Sequence, residues 1–461
     1  MNRTYSLNQS KLIISIITPV ILCIFIVPFI MSANFEAWTY MNLVTWILLI
    51  IFTIVYKESI FSLYIFYFGL VFVMPPIILT PEKFLQHGWL VQDIYLPINI
   101  VPTLLGVITI FLFLSIFLMG FINDFEKNDV RVRYESKLRF SISFYISYFI
   151  CFLFVSIFNI QEATAVFNEG YGALKSGDLS VQKGLHIFIL DMIFISMTFI
   201  LVYLRRFIWL PLFIFYTITL LFVGERLPPI LFLFFLSIAY FRVPYKSSSI
   251  IITSIILFFV AVPFLMAIAV FREGLDDWSN NFLYFYTDIW NVIGHSFDTL
   301  KASILSSNSE ITVDVSPFAK VFNYVDVISN RIFGVDLNLE GRSFGHQFTK
   351  ELDPEMFELD RTFSSSAIAE AYFFFNFSGI IFYAFFVLIF VNIIKKNSMI
   401  TSPFSVMLFA IFSSRFFATV RGELFGNIFD IFIQIIFIIP FLIICVLIFM
   451  KKKNYVYKEI L

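Results

Sequence analysis

Residues 100–122 read IVPTLLGVITIFLFLSIFLMGFI, an unbroken run without one charged side chain. A helix needs about 20 such residues to cross the hydrocarbon core of a bilayer. Lipid offers backbone groups no hydrogen bonds, so a chain with many such runs folds as a bundle of helices. Eleven more apolar stretches can be drawn outward from this one: 11–31, 38–55, 59–79, 140–160, 186–204, 207–223, 227–241, 248–271, 366–394, 402–420 and 428–449. The 227–241 stretch is short and opens on Pro228-Pro229. The first is too long for a signal-peptide core and reads as a retained helix. The expected fold is an all-α polytopic membrane protein with about 12 transmembrane helices.

Composition excludes the alternatives. The chain has 461 residues, 60% of them hydrophobic, 14% charged and 65 of them phenylalanine. Soluble domains carry about a quarter charged residues, and no soluble core of this length hides so much apolar surface. A net charge of −1 argues against nucleic acid as a partner. Cys23, Cys151 and Cys445 all lie in apolar runs without metal-ligand spacing. Neither a disulfide framework nor a cysteine metal site is expected.

Orientation follows from the basic residues. With a cytoplasmic N-terminus, the inner connections hold 18 of the 31 lysines and arginines, among them Arg3, Lys57, Arg131, Arg205, Arg242, Lys395 and Lys451. The outer side holds 12, seven of them in one long loop where the positive-inside rule is weak. Both termini are therefore expected in the cytoplasm. The division is residues 1–271 with helices one to nine, a large extracytoplasmic loop at 272–365 between helices nine and ten, and 366–461 with helices ten to twelve and a cytoplasmic tail. Medium loops are expected at 80–99 and 161–185. No internal repeat of the kind many transporters carry is visible.

Within the long loop, residues 281–300 have helical periodicity, with Phe282, Tyr286, Ile289, Ile293, Phe297 and Leu300 on one stripe. Asp288, Asn291, His295 and Asp298 form a second stripe, read chiefly as a solvated face, with metal binding as the lesser reading. Such a helix would lie flat on the membrane. The 305–316 stretch reads as turn-like. Asp353 and Glu355 form a D-x-E pair, which reads as an acidic turn rather than a cation site. No metal and no cofactor are expected.

Arginines recur where outer span ends fall. Arg226 follows span seven, Arg272 ends span nine, Arg361 precedes span ten and Arg421 follows span eleven, with Arg415 six residues inside it. Arginine there is costly and runs against the inside rule. Snorkelling, or pairing with Glu225, Glu273 or Glu423, explains any one of them. A cluster of guanidiniums suits bidentate binding of phosphate, and the multi-phosphate ligand of an outer leaflet is a lipid diphosphate. Span ten opens Ser364-Ser365-Ser366-Ala367-Ile368-Ala369-Glu370, placing a carboxylate inside the membrane. Glu370, His346 and His295 are the general-base candidates. An ion pair with an arginine is the plain alternative for Glu370.

In order along the chain, Gly224-x-Arg226, Arg272-x-Gly274, Tyr286-Thr287-Asp288, the run through Glu370 and Gly379, and Arg421-Gly422 resemble the Wzy-type polymerases of O-antigen, capsule and related bacterial surface polysaccharides. The resemblance covers the whole chain as topology and residues 224–430 by motif. It implies a metal-independent glycosyltransferase of the bacterial inner membrane, with its site facing the extracytoplasmic side. That enzyme moves a glycan from undecaprenyl diphosphate to a lipid-linked oligosaccharide repeat unit. Diphosphate-binding roles for Arg226, Arg272 and Arg421 come with the resemblance. Roles for Arg361 and Arg415 follow from the charge argument, and Asp288 joins the substrate-binding set. Membrane lipids and a chain-length regulator protein are the expected partners.

Two rivals remain at this point. A lipid-linked oligosaccharide flippase suits twelve spans but not the missing repeat or the 94-residue loop. A polyprenyl-phosphate-sugar glycosyltransferase would carry acidic residues in the first outer loop, where only Glu36 stands.

Overall fold

The computed structural model describes residues 11, 13–19, 34–79, 84, 100–122, 141–169, 185–223, 227–241, 252, 295–308, 313–317, 322, 325, 344–352, 354, 365–398 and 400–449. Among them every regular element is helical. In chain order these are α1 (Phe35–Val55), α2 (Ser59–Phe72), the short α3 (Met74–Ile78), α4 (Val101–Met119), α5 (Ile142–Glu169), α6 (Leu185–Tyr203), α7 (Trp209–Val223) and α8 (Leu227–Phe241). They continue with α9 (Asp298–Ser307), α10 (Phe344–Leu352), α11 (Ala367–Asn397), α12 (Pro403–Ala418) and α13 (Leu424–Phe449).

Six of these, α1, α4, α5, α6, α11 and α13, contain spans long and apolar enough to cross a membrane, and four shorter apolar helices accompany them. Ten of the twelve expected stretches are thus helical where described. The 11–31 and 248–271 stretches lie largely outside the described residues. Two boundaries differ from expectation. The α5 helix runs on to Glu169, because QEATAVFNE is polar yet helix-compatible. The α13 helix starts at Leu424 because a cap from another helix stabilises its first turn, although Asn427 and Asp430 interrupt the apolar pattern.

Apolar side chains face outward as well as inward. Leu447 is 75% exposed and Ile436 65% on α13, while Asp430 on the same helix is 3% exposed. That inversion is what lipid as solvent demands. Helices gain little from burying one another in lipid, so polar contacts and close packing hold the bundle. Asn42 of α1 donates its amide to the Leu105 carbonyl of α4 at 3.2 Å and accepts from the Thr109 hydroxyl at 2.7 Å. Trp46 of α1 donates to the Ile65 carbonyl of α2 at 2.8 Å.

Phenylalanine and tyrosine fill the centre. Phe68 lies 4.4 Å from Phe111, Phe111 5.1 Å from Tyr383, and Tyr64 4.3 Å from Phe416 in a stacked pair. The hydroxyls of Tyr64 and Tyr383 hydrogen-bond each other. Helices α2, α4, α11 and α12 therefore converge on one aromatic core.

The α11 helix is broken at Asn376, whose φ of 51° and ψ of −139° are non-helical. Gly379 permits the break. A Cβ there would collide with the Ala371 carbonyl oxygen, 1.8 Å away, so only glycine lets the two halves close up. Non-helical backbone inside a span is tolerated where protein surrounds it.

Candidate functional site

The arginine-bearing turn between α12 and α13 is held from three sides. Its backbone tightens into i−3 bonds, with Thr419, Val420 and Arg421 donating to Phe416, Phe417 and Ala418 at 3.2–3.3 Å. The Ala367 amide at the head of α11 donates to the Thr419 carbonyl at 3.1 Å. Beyond it, Asn427 donates both its backbone amide (3.2 Å) and its side-chain amide (2.6 Å) to the Glu423 carbonyl. Gly422 is required by crowding, since a Cβ would sit 2.8 Å from the Ala418 carbonyl oxygen. The result is a rigid platform carrying a half-buried Arg421.

Glu370 completes the platform. Its Oε2 accepts from the backbone amides of Leu424 and Phe425, the latter at 3.1 Å. The first amides of a helix have no partner within it and lie at the positive end of its dipole, so a carboxylate stabilises them. Glu370 is 2% exposed and sits in the first turn of α11, which Ser366 caps through the Ala369 amide. Glu370 thus caps a helix, a role that the sequence reading did not name. Arg421 is also close enough to the Tyr67 phenol of α2 to act on it electrostatically.

Arg415 points elsewhere. Its Nη1 donates to Asp430 Oδ2 at 2.7 Å, with the two side chains 17% and 3% exposed. The pair ties α12 to α13 one layer below the turn. Asp430 escaped the sequence reading, though a carboxylate inside an apolar run with an arginine fifteen residues earlier was the signal that could have found it.

His346 is half-buried on α10. That helix docks through Phe344 and Phe348, whose rings lie 5.6 Å and 5.1 Å from Phe373 of α11. Gln347 accepts from the Ser316 amide at 3.0 Å. His346 therefore rides on an element fixed one turn beyond Glu370. Among the sequence-derived site residues, Glu370 and Arg421 share the platform, Arg415 lies beneath it and His346 beside it. Arg226, Arg272, Arg361 and Asp288 lie outside the described residues.

The loop helix is another departure. In α9, Asp298 through Leu305 are all buried, so Asp298 does not belong to a solvated face. The helix continues to Ser307, into a stretch read as turn-like. Lys301, 1% exposed, donates to the Phe84 carbonyl at 2.8 Å and lies 5.0 Å from that ring's centroid. Burial pushes its ammonium down to about 8, against the opposing pull of Asp298. Among the described residues no group of three or more His, Cys, Asp or Glu is placed to hold a metal ion.

No curated protein and no solved structure matches the chain. The family described as O-antigen polysaccharide polymerase Wzy does match it, over residues 11–453, and favours a polymerase over a flippase. An arginine platform at the junction of three helices, in an integral membrane protein rich in apolar helices, agrees with that assignment: the chain belongs to the Wzy family of O-antigen polysaccharide polymerases.

Proposed function

We propose that this polymerase transfers the growing glycan from undecaprenyl diphosphate to a lipid-linked repeat unit, at the outer leaflet of the bacterial inner membrane and without a metal ion. The observation that carries the reading is the Arg421 platform, which fixes the backbone of Arg421 in the turn between α12 and α13. Helix α12 has 16 residues, about 24 Å of rise, against a hydrocarbon core of about 30 Å. An α12 that starts at one membrane face therefore brings Arg421 to within a few ångströms of the other, from where its long side chain reaches a lipid diphosphate.

In this mechanism Arg421, with Arg226 and Arg272, binds the diphosphate. The acceptor hydroxyl oxygen attacks the anomeric carbon, and the bond from that carbon to the diphosphate oxygen breaks. The diphosphate leaves with the electron pair, and inversion results. Preorganised guanidiniums stabilise the charge that grows on the leaving group. The hydroxyl proton passes to a base, for which His346 is the better-placed candidate because two backbone amides engage Glu370. Glu370 then acts by positioning the platform. Arg361 and Asp288 belong to the loop that closes over the sugars, and Arg415 braces the floor through Asp430. A chain-length regulator would act on the extracytoplasmic side.

The test is reconstitution with synthetic undecaprenyl-diphosphate oligosaccharide, reading product length on a gel. A ladder of repeat multiples with released lipid diphosphate, unaffected by chelator, is the expected result. Lipid-linked oligosaccharide crossing the bilayer without a ladder would overturn the reading. A ladder that chelator abolishes and added divalent ion restores would overturn its metal-free form.

A further inference from the structure

Helix α5 carries a row of buried polar side chains that no step above uses. Ser156, Asn159 and Glu162 recur every third residue and are 4%, 0% and 8% exposed. Among the described residues, both amide atoms of Asn159 and the Ser156 hydroxyl lack a hydrogen-bond partner. Such atoms are expensive to bury, and an apolar side chain would serve packing better. A buried carboxylate or amide kept inside a span is a functional-site candidate by default.

The seam they face can be traced. Lower on α5, the Tyr148 hydroxyl lies 3.2 Å from Thr198 Oγ1 of α6, and the Tyr148 and Phe152 rings lie 5.1 Å and 5.9 Å from Phe194. The two helices run antiparallel. Ascending α5 from Tyr148 and Phe152 by helical spacing leads to Ser156 and Asn159. Stepping back along α6 from Thr198 and Phe194 leads to Asp191, a half-buried carboxylate. Ser156, Asn159, Glu162 and Asp191 thus line one seam. It lies one helix away, about 10 Å, from α13, because α6 packs on α13 through Phe188 and Phe437.

The chemistry selects the ligand class. Phosphate offers only acceptors and leaves the Asn159 Oδ1 unserved, whereas a hydroxyl both donates and accepts. The asparagine amide, with an acceptor and two donors, matches adjacent hydroxyls on one ring. We propose that this row is a sugar-binding subsite, holding a hydroxylated residue of the glycan while the reaction occurs at the arginine platform. The inference rests on the polymerase reading above.

Asn159→Leu tests it, because leucine is close in size and removes the unpartnered atoms. The full-length protein would be reconstituted with the synthetic lipid-linked repeat unit, and its melting temperature and kinetics measured. A purely structural row predicts equal or higher Tm and unchanged KM. The subsite predicts undiminished Tm with KM for the lipid-linked oligosaccharide raised about tenfold, as for loss of ground-state hydrogen bonds. Should the leucine variant misfold, Ser156→Ala makes the same test with about a threefold rise in KM expected from one lost bond. Unchanged KM, alongside an Arg421→Ala variant that makes no polymer, overturns the subsite and leaves the polymerase standing. A wild-type protein that makes no ladder overturns both.

Discussion

The two ends of α11 carry buried charge in different ways. At its Lys395 end, Glu58 lies between two lysines, with Lys11 Nζ 2.5 Å from Oε1 and Lys395 Nζ 2.7 Å from Oε2. Lys11 also donates to the Ile122 carbonyl at 3.2 Å. At its Glu370 end, the carboxylate caps the backbone of α13 and the nearby cations are arginines. The lysine end joins the N-terminal stretch, the α1–α2 turn and the foot of α11 through side-chain ion pairs. The arginine end fixes backbone and presents a guanidinium on it. A compact ammonium suits a closed staple, and a planar fork suits a ligand that comes and goes.

The comparison breaks if the two ends respond alike to mutation. Arg421→Ala should lower polymerisation by at least about a hundredfold, as for loss of a transition-state charge contact, with Tm nearly unchanged. Arg421→Lys should recover little, since lysine lacks the bidentate fork. Normal-length polymer from either variant would end the diphosphate assignment. Glu58→Gln should do the opposite. Removing the shared partner leaves two lysines facing each other, 3% and 21% exposed, at a cost of about 3–5 kcal/mol. Activity per folded molecule should stay normal. A Glu58→Gln protein that is stable but inactive would move the lysine end into the catalytic machinery.

Arg415 and Asp430 sharpen the contrast, because this arginine is already engaged in an ion pair. Asp430→Asn should destabilise by about 3 kcal/mol through the uncompensated guanidinium it leaves. The double change to Arg415→Met with Asp430→Leu should recover most of that loss, because an apolar pair of similar volume suits the interior. If the double variant is stable yet inactive, Arg415 touches substrate, as the charge argument from sequence held.

Much of this was legible in the sequence, and the reason is lipid. A bilayer imposes long charge-free runs, so the helices at 38–55, 100–122 and 366–394 announce themselves. The platform was legible as residues, Glu370 and Arg421, but not as geometry. Nothing in the sequence says that a carboxylate in one span caps a helix 54 positions later. The Asp430 partner was hidden because a single acid in a strongly apolar run is easily absorbed into the span. Asp298 was misjudged for the converse reason. Helix α9 is not apolar, and a polar helix in a loop reads as solvated unless its packing partners are known.

Lys301 gives the smallest effect and asks whether the lysine rule extends to the loop. It bonds the Phe84 carbonyl and faces the Phe84 ring. Burial lowers its pKa from 10.5 to about 8. Below pH 8 the ammonium is charged in both folded and unfolded chains, and its contribution to stability is flat. Between about pH 8 and 10.5 the unfolded chain holds a proton that the folded chain has released, so stability gains with rising pH on this group's account. By pH 9.5 the gain should be on the order of 1–2 kcal/mol. Comparing Tm of the wild type and Lys301→Met across pH 7 to 9.5 isolates it, since all other groups are common to both. The wild type should gain on the variant as pH rises. A constant difference would mean that Lys301 keeps its charge throughout, held as firmly as the lysines around Glu58.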